Sequence, residues 1–173
     1  MNVQDRIAQI VSMNKEYLGR YLKKFDDSNH TKQSPGLPNH VAWSLGHCAM
    51  TMHRVAGVID GRGLPSDAFI DGSDRGDANR FGTESIAYGS TPTDEPARYP
   101  GFARCREIYD RSCDRLASAV HALPESRLDE MVKWGTGETP LGLLCIRMSF
   151  HNGMHTGQIA DLRRALGMGS ILS

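Results

Sequence analysis

The chain has 173 residues, 39% of them hydrophobic and 23% charged, and its formal net charge at pH 7 is zero. This length suits one domain with a buried core, so we expect a single domain over residues 1–173. The lack of a basic excess, an acidic block and a bilayer-length apolar run disfavours nucleic-acid binding, a solvating tail and a membrane span.

The first predicted element is an amphipathic helix over residues 3–25, in which apolar residues recur at helical spacing between charged residues. Because the charges interrupt every apolar stretch, the segment does not have the pattern of a signal peptide. We expect a soluble, cytoplasmic protein that has neither a membrane nor a nucleic acid as a partner. A loop with Pro35 and Pro38 follows, since proline disfavours continuation of the helix.

A second helix is predicted over residues 40–60, with Asn39 as its N-cap. Its apolar residues recur at alternating spacings of four and three, as in a helix that packs one face against a core. They are Val41, Leu45, Cys48, Met52, Val55 and Ile59. His47 lies beside this stripe, on the face that carries Trp43.

Residues 61–99 are rich in Gly, Asp, Ser and Pro and predict a long connection without regular structure, apart from short helical turns. A connection of this length is unusual in a compact domain, so it either has a function or spans a distance. In a four-helix bundle, a long connection allows two consecutive helices to run parallel instead of antiparallel.

A third helix is predicted over residues 101–122, followed by a connector over residues 124–138. Of the four cysteines, Cys105 and Cys113 lie on this helix about 12 Å apart along its axis, which is too far for a disulfide. None of the cysteines forms a CxxC pair. We therefore expect reduced, mostly buried thiols that act as small apolar residues.

A fourth helix is predicted over residues 140–166, with Thr139 as its N-cap and Pro140 in its first position. Arg163 and Arg164 in the last turns and Gly167 after them are typical of a helix C-terminus. The chain thus predicts an all-α fold of four helices without a convincing strand or an internal repeat.

Two histidines of the fourth helix, His151 and His155, lie four residues apart, so both imidazoles project from one face. The same face carries an apolar stripe. A polar side chain on a core-facing stripe destabilises the fold unless another group satisfies it. A metal ion would satisfy both histidines.

The metal hypothesis takes His47 as the third ligand, supplied by the second helix where it meets the fourth in the bundle interior. Three histidines leave a coordination position open for water or substrate, as in catalytic sites. Neutral imidazole suits zinc, nickel, copper or iron. Asn152 stands where a zinc protease has its glutamate, which disfavours a metalloprotease.

Other interpretations of the histidines remain open. An HxxxH pair alone is weak evidence for a metal, and a plain bundle in which buried polar groups satisfy His151 and His155 is an alternative. We interpret His40, His53 and His121 as surface or cap residues and place His30 in a loop.

Two motifs resemble those of the DinB-like (YfiT-like) metalloenzyme superfamily. The first is Asn-His-Val-Ala-Trp-Ser-Leu-Gly-His over residues 39–47, and the second is His-x-x-x-His-Thr-Gly-Gln-Ile over residues 151–159, which runs on to Gly167. The resemblance implies a four-helix bundle of up-down-down-up order. It also implies a three-histidine centre for zinc or nickel with His47, His151 and His155 as ligands.

The superfamily includes transferases and isomerases that use low-molecular-weight thiols. The resemblance therefore implies a metal-dependent enzyme acting on a small molecule, with a thiol transferase as the leading hypothesis. A metal-dependent hydrolase and a non-catalytic, stress-related metal or ligand binder are the alternatives. An open cleft at the metal, lined by the 61–99 connection, would favour an enzyme over a structural site.

Around the ligands, Gln158 and Asn152 are candidate hydrogen-bond partners of the histidines, since a ligating histidine normally donates its other ring N–H. Trp43 is a further candidate neighbour, as part of the core or the pocket wall. The catalytic residues remain unknown, because Glu138 and Asp161 are only nearby carboxylates. Bundles of this kind often pair through exposed helix faces, so a homodimer is a further expectation.

Overall fold

The computed structural model describes residues 2–70, 76–169 and 171, so residues 71–75 of the predicted long connection lie outside the described part. The predicted helical fold is confirmed, because each segment with helical spacing forms a helix close to its expected bounds. The helices are α1 (Val3–Tyr21), α2 (Val41–Asp60), α3 (Phe102–His121) and α4 (Leu141–Ala165).

Helix α1 begins with a capping box, in which the Asp5 backbone N–H donates to the Asn2 side chain at 2.8 Å and the Asn2 N–H donates to the Asp5 carboxylate at 3.2 Å. The helix ends at Tyr21, four residues before the predicted end, and Lys24 then takes a left-handed conformation with φ of 70°. Phe25 still reaches the core with 5% of its surface exposed, so the apolar pattern continues past the helix.

Both predicted caps at the starts of α2 and α4 are wrong. His40 caps α2 in place of Asn39, since its Nδ1 accepts the Trp43 backbone N–H at 3.1 Å. Pro140 takes the cap position of α4, because Thr139 belongs to a strand that leads directly into the helix. His40 is a cap, as predicted, but it is fully buried.

The prediction of no strand is wrong at two places. A short parallel pair joins β1 (Phe69–Ile70) to β2 (Phe81–Gly82), and an antiparallel hairpin joins β3 (Met131–Trp134) to β4 (Gly137–Pro140). The hairpin turns at Gly135, whose φ of 61° suits glycine. These strands have two to four residues each, which is too short for a sequence alternation to reveal them.

The core lies between all four helices, and the four cysteines are free and buried in it. Burial raises the pKa of Cys48, Cys105, Cys113 and Cys145 above the ordinary thiol value, so these thiols are packing residues. The expectation for the cysteines is confirmed. None of the described helices is both long and apolar enough to cross a bilayer.

Polar side chains of the helices and of the loop before α2 hold the chain at or next to both ends of the 61–99 connection, so much of it is ordered against the bundle. Arg115 donates to the Gly63 carbonyl at 3.0 Å and pairs with Asp60 at 3.0 Å. At the other end, His40 Nε2 lies 2.9 Å from the Thr93 carbonyl and His30 Nε2 lies 3.1 Å from the Pro100 carbonyl. These backbone carbonyls have no signature in the sequence.

The central part of the connection packs directly on α2 at Gly46. A Cβ atom at this position would lie 2.7 Å from Cε1 of Phe81 and 3.0 Å from Cγ2 of Ile86, so only glycine admits the observed approach. Phe81 and Ile86 are themselves fully buried. The contact brings the backbone of the 3-10 turn Glu84–Ile86 against the side chain of His47.

Candidate metal centre

The structure brings together the three histidines that the sequence singled out. His47 comes from α2, and His151 and His155 come from successive turns of α4. One ring nitrogen from each lies within 4.8 Å of the other two, and Nε2 of His47 and Nε2 of His151 are 3.2 Å apart. His47 and His155 are buried and His151 is half-buried, so the three residues could hold a metal ion.

A backbone carbonyl sets the orientation of His47. Its Nδ1 lies 2.7 Å from the Ile86 oxygen, and a carbonyl can only accept, so Nδ1 carries the proton. Nε2 is then left with a lone pair that points toward the other two histidines. Trp43 stacks on the ring at a centroid distance of 4.5 Å and an angle of 11°, with its indole N–H donating to Ser90 Oγ at 2.9 Å.

A side-chain amide performs the same task for His155. Its Nδ1 lies 2.8 Å from Gln158 Oε1, which also accepts from Asn39 Nδ2 at 3.0 Å. Because that oxygen can only accept, the proton again sits on Nδ1 and the lone pair on Nε2. Gln158 and Asn39 thereby connect the end of α4 to the start of α2.

Two ring nitrogens of the cluster have no polar partner among the described residues. Nε2 of His155 and Nδ1 of His151 are buried without a hydrogen bond. An unsatisfied buried polar atom costs about 1–3 kcal/mol, so some further group is expected to complete the cluster. A divalent metal ion fits the donor set, whereas polar side chains satisfy only one ring nitrogen each of His151 and His155 among the described residues.

The site keeps all three imidazoles neutral. Burial, with the neighbouring His155 and His47 as smaller causes, lowers the pKa of His151 to about 3. Burial likewise lowers the pKa of His155 to about 4 and brings that of His47 below its ordinary value. Neutral imidazoles with free lone pairs are the form that binds a metal.

An open cleft of about 940 Å³ leads to the histidines. One wall is the Tyr88–Ser90 part of the long connection, and the other is the tip of the β3–β4 hairpin over residues 134–139. Three charged side chains, Arg54, Arg147 and Glu138, also line it. The feature that would favour an enzyme over a sealed structural site is therefore present.

Two of the three predicted neighbours of the ligands contact a histidine of the cluster, and the third hydrogen-bonds to the helix backbone. Gln158 contacts His155 and Trp43 stacks on His47. Asn152 is buried, and its Nδ2 donates to the Met148 carbonyl at 2.7 Å, so its recorded hydrogen bond is to the backbone of its own helix.

The sequence did not predict several residues of the site. The Ile86 carbonyl could not be found, because a backbone acceptor leaves no trace in residue type. Ser90 lay in a connection without a motif, and Arg54 lay on α2 without a charge pattern to mark it. Asp161, named as a nearby carboxylate, pairs with Arg164 on the exposed side of α4, whereas Glu138 lines the cleft.

His53 and His30 correct the interpretation of the remaining histidines. His53 is 3% exposed and its Nδ1 lies 3.2 Å from Arg115 Nη1, so it is a core residue and not a surface one. His30 is in a loop, as predicted, but it is 2% exposed and anchors that loop. His121, by contrast, is exposed at the end of α3.

Comparison with known proteins places this geometry in a family. The model of the DinB superfamily matches residues 12–159, a span that contains all three histidines. A crystal structure described as a conserved protein from Enterococcus faecalis is similar with a TM-score of 0.72, over 98% of this chain and 99% of that chain. The two sequences are 13% identical, so this likeness concerns the fold alone. None of the curated proteins matches the chain.

Proposed function

The chain belongs to the DinB superfamily, and from that premise we propose that it is a metal-dependent enzyme that acts on a small molecule. The metal is zinc or nickel, and the leading reaction is transfer of a low-molecular-weight thiol to an electrophile. One observation carries the proposal: three histidines line an open cleft with one ring nitrogen of each within 4.8 Å of the other two. A structural site would not need such a cleft.

In this proposal His47, His151 and His155 hold the metal. A bound divalent ion would supply Lewis-acid chemistry, lowering the pKa of a thiol or water at the open position. The Ile86 carbonyl and Gln158 keep the protons of His47 and His155 on Nδ1, so that both Nε2 atoms stay available. Trp43 covers one face of His47 and excludes water from it.

Glu138 is the carboxylate of the cleft wall among the described residues, and we assign to it the role of proton acceptor for an incoming thiol or water. It reaches the cleft from β4, the strand directly before α4. The same arrangement would serve a hydrolase, in which water takes the place of the thiol.

We also propose the up-down-down-up order of the helices and a cytoplasmic location. Contacts between the start of one helix and the end of another support antiparallel pairs for α1 with α3 and for α2 with α4. A contact between the ends of α1 and α4 supports a parallel pair for these two helices. The contacts are Asp5–His121, Lys15–Asp114, Asn39–Gln158, His47–His151, Asn14–Ser149 and Tyr21–Arg163.

A homodimer is part of the proposal as well. Helix α4 exposes large apolar side chains at helical spacing on its outer side, next to exposed apolar residues of α1, and such stripes favour burial against a partner. These residues are Leu143, Ile146, Phe150 and Met154 on α4, and Ile10, Met13 and Tyr17 on α1.

Metal analysis of protein purified without a histidine tag tests the proposal first. We expect about one zinc or nickel per chain, lost in His155→Ala and in His151→Ala. His121→Ala is the matched control, because His121 is exposed and far from the cleft. Wild-type protein that stays metal-free after incubation with zinc and nickel would overturn the metal site.

Turnover is the second test. The metal-loaded protein is assayed with several low-molecular-weight thiols, among them glutathione and coenzyme A, and a generic electrophile. Consumption of the thiol that disappears in His155→Ala supports a thiol transferase. Stoichiometric metal without turnover of any thiol would favour the hydrolase or the non-catalytic binder.

A further inference from the structure

Two arginines in the metal cleft have no carboxylate partner among the residues that the structure describes. Arg54 on α2 and Arg147 on α4 are exposed and line the same cleft as the histidines. Neither makes an ion pair within the described part of the chain, whereas arginines on other faces, such as Arg104, do. A pair of unpartnered guanidinium groups in a cleft is suited to an anionic oxygen group of a ligand.

The helix directions place both arginines at one end of the cleft. Asn39, before His47, hydrogen-bonds to Gln158, which follows His151 in the chain, so α2 and α4 run in opposite directions past each other. Arg54 lies after His47, and Arg147 lies before His151. Both are therefore on the side of the histidines away from the Asn39–Gln158 contact.

The spacing along the helices sets the size of a ligand that could contact both the arginines and the histidines. Arg147 is four residues from His151 and Arg54 is seven from His47. These separations correspond to about 6 Å and about 10 Å of helix rise. Since an arginine side chain can reach back over part of this distance, a short ligand could contact the histidines at one end and the arginines at the other.

The other groups of the cleft limit the ligand further. Glu138 contributes one negative charge against the two positive charges of the arginines, so these three side chains together carry a single net positive charge, to which a bound metal ion would add its own charge at the histidines. The charge of these side chains suits a singly charged carboxylate at the arginines better than a doubly charged phosphate. Apolar side chains, including Met50, Met154 and Trp134, line the cleft as well and suit an apolar segment of the ligand.

We propose that the substrate of this cleft is a small organic acid whose carboxylate pairs with Arg54 and Arg147 while its other end reaches the three histidines. The proposal rests on the metal-dependent function proposed above, to which it adds the class of substrate. Arginine holds a carboxylate through two parallel N–H donors, so the two residues would orient the ligand along the cleft as well as bind it.

The test compares two thiols of the same shape and different charge. 3-Mercaptopropionate and its amide are titrated into zinc-loaded protein by isothermal titration calorimetry. Charge-assisted hydrogen bonds stabilise a complex by about 1.5–3 kcal/mol, so we expect the acid to bind about 10- to 100-fold more tightly than the amide. In Arg54→Met/Arg147→Met the preference should vanish while the affinity for the amide stays within about twofold.

Arg6→Met/Arg106→Met is the matched control, because both arginines are exposed outside the cleft, on α1 and α3, and their loss removes the same two charges. This variant should keep the preference for the acid. Equal binding of acid and amide by the wild type, no binding of either, or a preference that survives in the double variant would overturn the proposal. Inorganic phosphate that displaces the acid more strongly than propionate does would overturn the choice of a carboxylate.

An experiment on the metal-free protein tests the arginine site independently of the proposed enzymatic function. Side-chain Nε–H signals of Arg54 and Arg147, assigned by comparison with the single variants, are followed by NMR in chelator-treated protein during titration with propionate. Shifts confined to these two signals support the arginine site even if no thiol turns over. Turnover that is unchanged in the double variant leaves the enzyme in place and overturns the role of the arginines.

Discussion

In three buried histidines, His40, His47 and His155, the position of the ring proton is fixed by an oxygen that can only accept a hydrogen bond. The Ile86 carbonyl holds the proton of His47 on Nδ1, and Gln158 does the same for His155. His40 uses the opposite tautomer, since its Nδ1 accepts the Trp43 N–H and its Nε2 donates to the Thr93 carbonyl. Each arrangement stabilises a neutral tautomer, and in His40 a second proton would go on Nδ1 and break the hydrogen bond from Trp43.

Acid should therefore destabilise the metal-free protein. Burial lowers the pKa of His40 and of His53 to about 4, whereas in the unfolded chain it is about 6.5. Between these values the unfolded state binds more protons, so stability is complete above about pH 6.5 and falls as the pH drops toward 4. We expect each histidine to cost about 2 kcal/mol of unfolding free energy at about pH 5.

Urea denaturation at about pH 7 and about pH 5 measures this loss. His53→Gln keeps an acceptor for Arg115 but cannot titrate, so it should lose about 2 kcal/mol less than the wild type between the two pH values. An equal loss in both proteins would mean that His53 takes no part in the acid sensitivity.

At the scale of elements, α2 orients His47 because the long connection packs directly against the surface of this helix. Gly46 leaves room for Phe81 and Ile86, and the next residue, His47, donates a hydrogen bond to the Ile86 carbonyl of that segment. The helix, the glycine and the 3-10 turn Glu84–Ile86 thus act together to orient one ligand.

Replacing Gly46 with alanine should push the long connection away from α2. The new Cβ would lie 2.7 Å from Phe81, so we expect a loss of about 1–3 kcal/mol of stability from overpacking. If Ile86 moves with Phe81, His47 loses its acceptor and zinc affinity should fall about 10- to 100-fold. Urea denaturation and competition with a chromophoric chelator measure the two effects.

Gly19→Ala provides the control, because nothing lies within 4 Å of the added atom on α1 and alanine favours the helix. That variant should bind zinc as the wild type does and be at least as stable. Wild-type zinc affinity in Gly46→Ala would show that the Ile86 contact is not needed for binding.

The sequence predicted the helices well, because they depend on spacing within one segment. It also predicted that His151 and His155 share a face, by their four-residue separation, whereas His47 as the third ligand depended on the expected meeting of two helices and was supported by the resemblance. The remaining features depend on contacts between distant segments. The Ile86 carbonyl, the hairpin that ends at Pro140 and the shared orientation of Arg54 and Arg147 required the packing of α2, α4 and the long connection.

On the scale of the whole molecule, the outer side of α4 exposes several large apolar side chains. Phe150 is 78% exposed and Leu143 is 58% exposed. Phe150 directly precedes His151, and Met154 lines the cleft, so a partner on this side would border the metal centre. The proposed dimer would thus cover the outer side of the helix that supplies two of the ligands.

Sedimentation or light scattering should detect this dimer, and Phe150→Lys should convert it to a monomer, since an unpaired charge in an apolar interface costs several kcal/mol. Met131→Lys adds the same charge at an exposed apolar residue of the hairpin and should leave the dimer intact. A wild-type protein that is monomeric at every concentration measured would contradict the proposal.

The cleft is formed partly by helices and partly by turns, and this difference affects how related proteins can evolve new specificities. The histidines stand on helices whose packing tolerates little change. The hairpin tip over residues 134–139 and the Tyr88–Ser90 segment are turns that can change in length and side chain without disturbing the bundle. New specificities can therefore arise in such a protein by replacing its rim, while the reactive centre is inherited unaltered.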